Sequence, residues 1–182
     1  MEHIDHSEQL AELKRRMASE RPVAWDDLPD ISLYMDQVVS YLGRQLITFR
    51  EGEGLTSAMI NNYIKDGIAP RANGKRYEKE HLSALTAVAV LKQVLSVRDL
   101  ATLMEHGVTA GPPEESYHRF CEELDTALTD TVSELERGSE ALPDLAVSLA
   151  LHAYAEVLAC RRILDLLRET DGETQKEKKK KK

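Results

Sequence analysis

The chain has 182 residues, of which 42 % are hydrophobic, 5 % aromatic and 31 % charged, with a net charge of −8. This is enough for one ordinary domain with a helical appendage, and the weight of Leu, Ala, Glu and Lys over aromatic and β-branched runs favours helices. No apolar run is expected to span a membrane, the polar start (MEHIDHSEQ) carries no secretory signal, and Cys121 and Cys160 are too few for a disulfide framework, so a reduced, cytoplasmic protein is expected.

The first expected helix runs from about Asp5 to Ala18, with Leu10, Leu13 and Met17 at helical spacing on an otherwise charged segment. Residues 19–32 contain Pro22, Trp25 and Pro29 and read as a connector pinned by the single Trp. The next helix spans about Ser32–Leu46, with Leu33, Val38, Tyr41, Leu42 and Leu46 on one side. A glycine-rich, charged loop (Arg50–Gly54) separates it from a helix that Thr56 caps and that ends near Asp66, where Gly67 supplies a left-handed residue. That helix turns Ile60, Tyr63 and Ile64 inward. It presents Ser57, Asn61, Asn62 and Lys65 outward.

Asn73-Gly74 predicts a hairpin turn, flanked by Arg71 and by Lys75-Arg76-Tyr77. Helix resumes over Glu78–Leu95, and Ser96–Asp99 has the form of a capping box for a short helix that ends at His106-Gly107. The segment Val108–Pro113 (VTAGPP) marks a boundary. Beyond it two long helices are expected, Glu114–Arg137 and Pro143–Arg168, the second apolar on more than one face. The tail from about residue 171 ends in a lysine run and is expected to be disordered, either adding weak phosphate attraction or only solubility. The resulting division is 1–30 for the N-terminal helix and connector, 31–107 for the central unit, 108–170 for a C-terminal helical hairpin and 171–182 for the tail.

Charge is unevenly distributed along this order. Residues 56–98 carry seven basic and three acidic side chains, net +4, whereas residues 1–55 sum to −5 and residues 112–169 to −8. A locally basic module within an acidic chain fits a directed phosphate contact, although a solvated charged surface has the same composition. An asparagine amide can give one donor and one acceptor to an adenine edge in the major groove, so Asn61 and Asn62 are the candidates for base readout; the other use of either amide is to cap a neighbouring backbone group. Lys65, Arg71, Lys75 and Arg76 suit phosphates, which position without specifying sequence. Tyr77 suits the role of a core anchor for the turn.

Other chemistry finds little support in the sequence. His118 and Cys121 lie i, i+3 on one helix, and His152 and Cys160 lie eight apart on the next; both pairs read as packed side chains, and no metal or cofactor is expected. No phosphate-binding glycine loop, G-x-S-x-G, H-E-x-x-H or clustered C-x-x-C is present, so no enzyme is expected.

The segments INNYIKDGIAP (Ile60–Pro70), Arg76-Tyr77 and Glu78–Leu82 resemble the MerR family of winged-helix regulators over roughly residues 33–105. A stronger resemblance, carried by LYMDQV (Leu33–Val38), Thr56–Gly67, Lys75–Leu85 and LKQVLS (Leu91–Ser96), is to an uncharacterised bacterial domain-of-unknown-function family. Together they imply a mainly all-α chain: a MerR-like winged helix-turn-helix with a small β-hairpin wing, then a C-terminal helical hairpin. The implied role is a DNA-binding transcription regulator that forms a homodimer through its C-terminal helices. MerR-like regulators carry Arg where Asn61 stands and an aromatic residue where Asn62 stands, and their helix-to-helix turn is shorter than Ile47–Leu55. A protein-interaction adaptor that keeps the fold without DNA binding is the alternative.

Overall fold

The computed structural model describes residues 6–49, 52–138 and 141–180, with side chains as far as residue 172. Among the described residues there are seven α-helices and no strand: α1 (Ser7–Ser19), α2 (Met35–Leu42), α3 (Ser57–Lys65), α4 (Lys79–Leu91), α5 (Val97–Leu103), α6 (Pro113–Arg137) and α7 (Leu142–Lys180). The mainly helical class expected from composition is therefore observed.

The core is built around α4, in which nine consecutive residues, His81 to Ala89, are buried. A helix buried on every side needs neighbours all round. These come from α2, from α6, and from a π-helical turn, Met104–Val108, that continues α5. Val38 and Leu42 of α2, Ile60 of α3, Leu100 of α5 and Met104 join Leu82, Leu85 and Val88 in one cluster. Tyr117 of α6 belongs to the same cluster and its hydroxyl donates to the Val23 carbonyl at 2.9 Å. The expected division at residue 107 thus cuts through a continuous core: VTAGPP is a turn within one folded unit, and α6 returns along α4. The connector is held as its Trp predicts. Trp25 sits in a 3₁₀ turn, 6.2 Å from the Tyr117 ring. The first helix lies along α6, joined by an Arg21–Asp125 ion pair at 2.6 Å.

Several boundaries differ from the sequence reading for local reasons. The second helix begins at Met35 rather than near Ser32 because Leu33 is engaged by Tyr77, the two exchanging backbone hydrogen bonds of 2.8 and 2.9 Å. It ends at Leu42, where Arg44 and Gln45 tighten the chain with i→i−3 bonds. The same tightening at Gln93 and Val94 ends α4 at Leu91 instead of Leu95. The Ser96 cap forms as expected: its hydroxyl accepts from the Asp99 amide at 3.2 Å and donates to the Asp99 carboxylate at 2.7 Å.

The last two helices depart furthest from expectation. Instead of becoming disordered at 171, α7 continues to Lys180; Lys181 and Lys182 lie outside the described residues. Nor do α6 and α7 pack along their whole length. They touch at the turn, where Leu135 and Leu145 are buried and Glu134 accepts from Ser148 at 3.1 Å and pairs with His152 at 2.6 Å. The far half of α7 then packs on α5: Leu164 is buried, and Arg168 pairs with Asp99 at 2.5 Å and donates to Thr102 at 2.9 Å. By length and composition, the stretch Leu142–Gly172 of α7 is sufficient to cross a membrane.

Candidate nucleic-acid interface

The third helix is fixed at both ends by its own sequence. At its start the Thr56 hydroxyl accepts from the Met59 amide at 3.2 Å. At its end Gly67 takes φ +74, the Gly67 amide bonds the Ile64 carbonyl at 3.2 Å, and the Ile68 amide bonds the Tyr63 carbonyl at 2.8 Å. This paired closure satisfies carbonyls that a helix end leaves open and requires a left-handed residue, which glycine adopts without a Cβ penalty. Ile60 and Tyr63 are buried beneath the helix, and Ile64 is half-buried. Its outer face carries Ser57, Asn61, Asn62 and Lys65, all exposed.

The segment expected as a β-hairpin wing is a tight turn. Asn73 and Arg76 exchange backbone hydrogen bonds of 3.0 and 3.1 Å around Gly74-Lys75, with Gly74 at φ +64. No strand ladder extends from it among the described residues, where two isolated bridges, Asn73 with Arg76 and Leu33 with Tyr77, are the only β pairs. The turn is also displaced by one residue from the Asn-Gly reading. Asn73 keeps a negative φ, so Gly74 alone supplies the left-handed position and leads the turn.

Six further contacts hold this turn against the core, and of these the sequence reading anticipated only the anchoring role of Tyr77. The Asn73 amide donates to the Glu78 carboxylate at 3.0 Å. Nδ1 of His81, buried in α4, accepts from the Glu78 amide at 3.0 Å, which leaves the ring proton on Nε2 to donate to the Arg71 carbonyl at 2.9 Å. Arg76 donates to the Ser32 carbonyl at 3.4 Å, and its guanidinium lies 4.0 Å from the centroid of the Tyr34 ring. Tyr77 is buried edge-on to His81, as a core anchor would be. His81 was detectable in principle, as the residue three after the helix cap, where a side chain can reach back to the cap amide.

The seven sequence-derived candidates thus fall on two adjoining features of the fold. Ser57, Asn61, Asn62 and Lys65 lie on α3, and Arg71, Lys75 and Arg76 lie in the turn segment that follows it; all seven are exposed. Arg76 is the one whose side chain is committed within the chain, to Ser32 and Tyr34. Lys79, which contributes to the same basic stretch, pairs with Asp30 at 2.9 Å. Of the seven cations of residues 56–98, Lys79 is paired and Arg76 is braced; Lys65, Arg71 and Lys75 lie on or just after α3 with no ion pair to a described residue, and Lys92 and Arg98 lie further along the chain.

Metal ligation finds no geometric support at the positions considered in the sequence. His118 lies 3.9 Å from Glu114 and His152 pairs with Glu134, and neither is joined to a cysteine. Burial raises the Cys121 thiol above its ordinary pKa, the wrong direction for a thiolate ligand. The cluster with ligand-like spacing among the described residues is Glu78, Glu80 and His81, and both His81 nitrogens are already engaged.

No curated protein and no solved structure matches the chain. Residues 23–120, more than half of the sequence, match the family described as Domain of unknown function (DUF1836). That match begins at the connector and ends on α6, just beyond Tyr117, so it covers the continuous core and the surface formed by α3 and its turn. The chain belongs to this family of domains of unknown function.

Proposed function

We propose that the protein is a non-enzymatic DNA-binding transcription regulator. Its α2–α3 unit acts as a helix-turn-helix of the MerR kind, with the wing reduced to the Asn73–Arg76 turn, and α7 joins two copies. One observation carries the reading. Asn61, Asn62 and Lys65 project from one helix whose opposite face is core, and none has a side-chain hydrogen bond or ion pair to a described residue. Two amides without internal partners beside free cations are what base-edge and phosphate contacts require. Both glycine-dependent turns place Arg71 and Lys75 after this helix on a braced backbone. The interface would thus be preorganised rather than assembled on binding.

A second reading, an interaction adaptor with the same fold, draws on two observations. Arg76 is committed internally, and residues 112–169, most of the α6–α7 region, carry a net −8. Selection from a random duplex library separates the two. On the regulator reading the parent enriches a motif, and Asn61→Ala or Asn62→Ala changes the enriched bases, because a bidentate amide–adenine contact is worth roughly 1–3 kcal/mol of discrimination. Identical motifs from parent and both variants would remove the asparagines from base readout, and no enrichment by the parent would favour the adaptor.

A further inference from the structure

One face of α7 is apolar and turned away from the rest of the chain. Val147, Leu151, Tyr154 and Leu158 are 57–66 % exposed. They recur at the four-three-four spacing of a coiled-coil seam, and they lie across the helix from Leu145, which is buried at the turn with α6. Asp144 precedes this seam by three residues and Arg161 follows it by three, Arg161 lying 3.9 Å from the Asp99 carboxylate of its own chain.

The seam is self-complementary when read backwards. About a point between His152 and Ala153, Leu151 is the mirror position of Tyr154, Val147 of Leu158, and Asp144 of Arg161. The residues beside the seam obey the same symmetry. Ala150 mirrors Ala155 and Ala146 mirrors Ala159, small side chains on both flanks where a second helix could approach closely, while the remaining flanking pair, Ser148 and Val157, differs. Arg162, adjacent to Arg161, is also exposed. Two antiparallel copies in this register would stack apolar layers over apolar layers.

We propose that α7 pairs with α7 of a second copy of this chain, antiparallel, about a two-fold axis between His152 and Ala153. This deepens the dimer part of the proposed function, and its test contains no DNA. The occupant is a second copy rather than a lipid surface because the seam reads the same in either direction about its midpoint and is bordered largely by alanines. An interfacial helix would instead surround its apolar face with basic side chains. The surface also lies beyond residues 23–120, so it is carried by this chain's C-terminal helix and not by the family domain.

Light scattering on the full chain should give twice the 20.5 kDa of one chain. Leu151→Glu should return it to one chain without loss of helical circular dichroism, and Leu158→Glu should repeat the result at the other seam layer. Orientation is read by nitroxide labels at Ala155→Cys or Arg162→Cys, with Cys121 and Cys160 replaced by Ala. At 1.5 Å of rise per residue, the two copies of position 155 sit roughly 8 Å apart along the axis and those of position 162 roughly 28 Å. A clearly longer distance from position 162 supports the antiparallel register. Equal distances at both positions would overturn it in favour of a parallel pair. A monomeric parent would overturn the pairing altogether, as would a parent that associates only with phosphatidylserine-containing vesicles.

Discussion

The fourth and seventh helices are both apolar on several faces, yet the fold uses them in opposite ways. Nine consecutive residues of α4 are buried, whereas the seam of α7 from Val147 to Leu158 is more than half exposed. The difference lies in what surrounds each. The fourth helix has neighbours from α2, α6 and the π-helical turn, while among the described residues α7 meets α6 at the connecting turn and α5 near Leu164, with Asp171 pairing with His106 of the π-helical turn at 2.8 Å. An apolar pattern therefore identifies a helix that needs partners; whether they lie in the same chain depends on topology.

The sharpest way to break this comparison is to truncate one leucine in each helix. Leu85→Ala in α4 removes a side chain that is 1 % exposed and should cost about 2–5 kcal/mol, through lost transfer energy and a residual cavity. Leu158→Ala in α7 should cost a dilute, monomeric sample no more than about 0.5 kcal/mol. Urea unfolding of both variants measures the contrast, and similar losses would mean that the exposed seam already supports the fold.

The turn between α6 and α7 is the next test. A Cβ at Gly138 would fall 2.5 Å from Leu145 Cδ2 and 3.2 Å from the Glu134 carbonyl, although its φ of −74 is open to any residue. Gly138→Ala should therefore cost about 1–3 kcal/mol by overpacking. The effect should appear in hydrogen exchange as loosening at the start of α7 with α4 unchanged.

The smallest effect concerns the second anchor of α7. The Asp99 carboxyl is held below the ordinary carboxylate range, first by the Ser96 hydroxyl and then by Arg168. Because the folded-state pKa is the lower one, this contribution is complete at pH values above the unfolded pKa of about 3.9, and is lost as pH falls through the depressed folded value. Acidification should release the Leu164–Arg168 end of α7 from α5, and Asp99→Asn should weaken that pH dependence. Amide exchange across α5 and α7 between pH 6 and pH 2 would measure it.

What the sequence made legible was local. Thr56, Gly67 and Ser96 are capping residues that act on their own neighbours, and all three act where their side chains or backbone freedom predict. The outward face of α3 followed from the inward spacing of Ile60 and Tyr63. Less legible were features that depend on distant residues. Nothing in Asn73-Gly74 indicates that Leu33 would take Tyr77 as its backbone partner, or that His81 and Glu78 would hold the segment as a bare turn in place of a two-stranded wing. The loss of Arg76 from the free cations has the same origin, since Tyr34 and Ser32 lie more than forty positions away in the chain. The inclusion of α6 in the core rests on Tyr117 reaching Val23 across VTAGPP, a long-range contact that a glycine- and proline-rich stretch conceals.

The central claim, that the face formed by α3 and its turn binds duplex DNA, is tested most directly by the salt dependence of affinity. Fluorescence anisotropy with a labelled duplex at 50–200 mM salt would compare the parent with a variant carrying Ala at Lys65, Arg71, Lys75 and Arg76. The account predicts that the slope of log affinity against log salt flattens by about 0.9 for each phosphate contact removed. Most of that change should come from the three cations without an ion pair. A variant that matches the parent in affinity and slope at every salt concentration would contradict it.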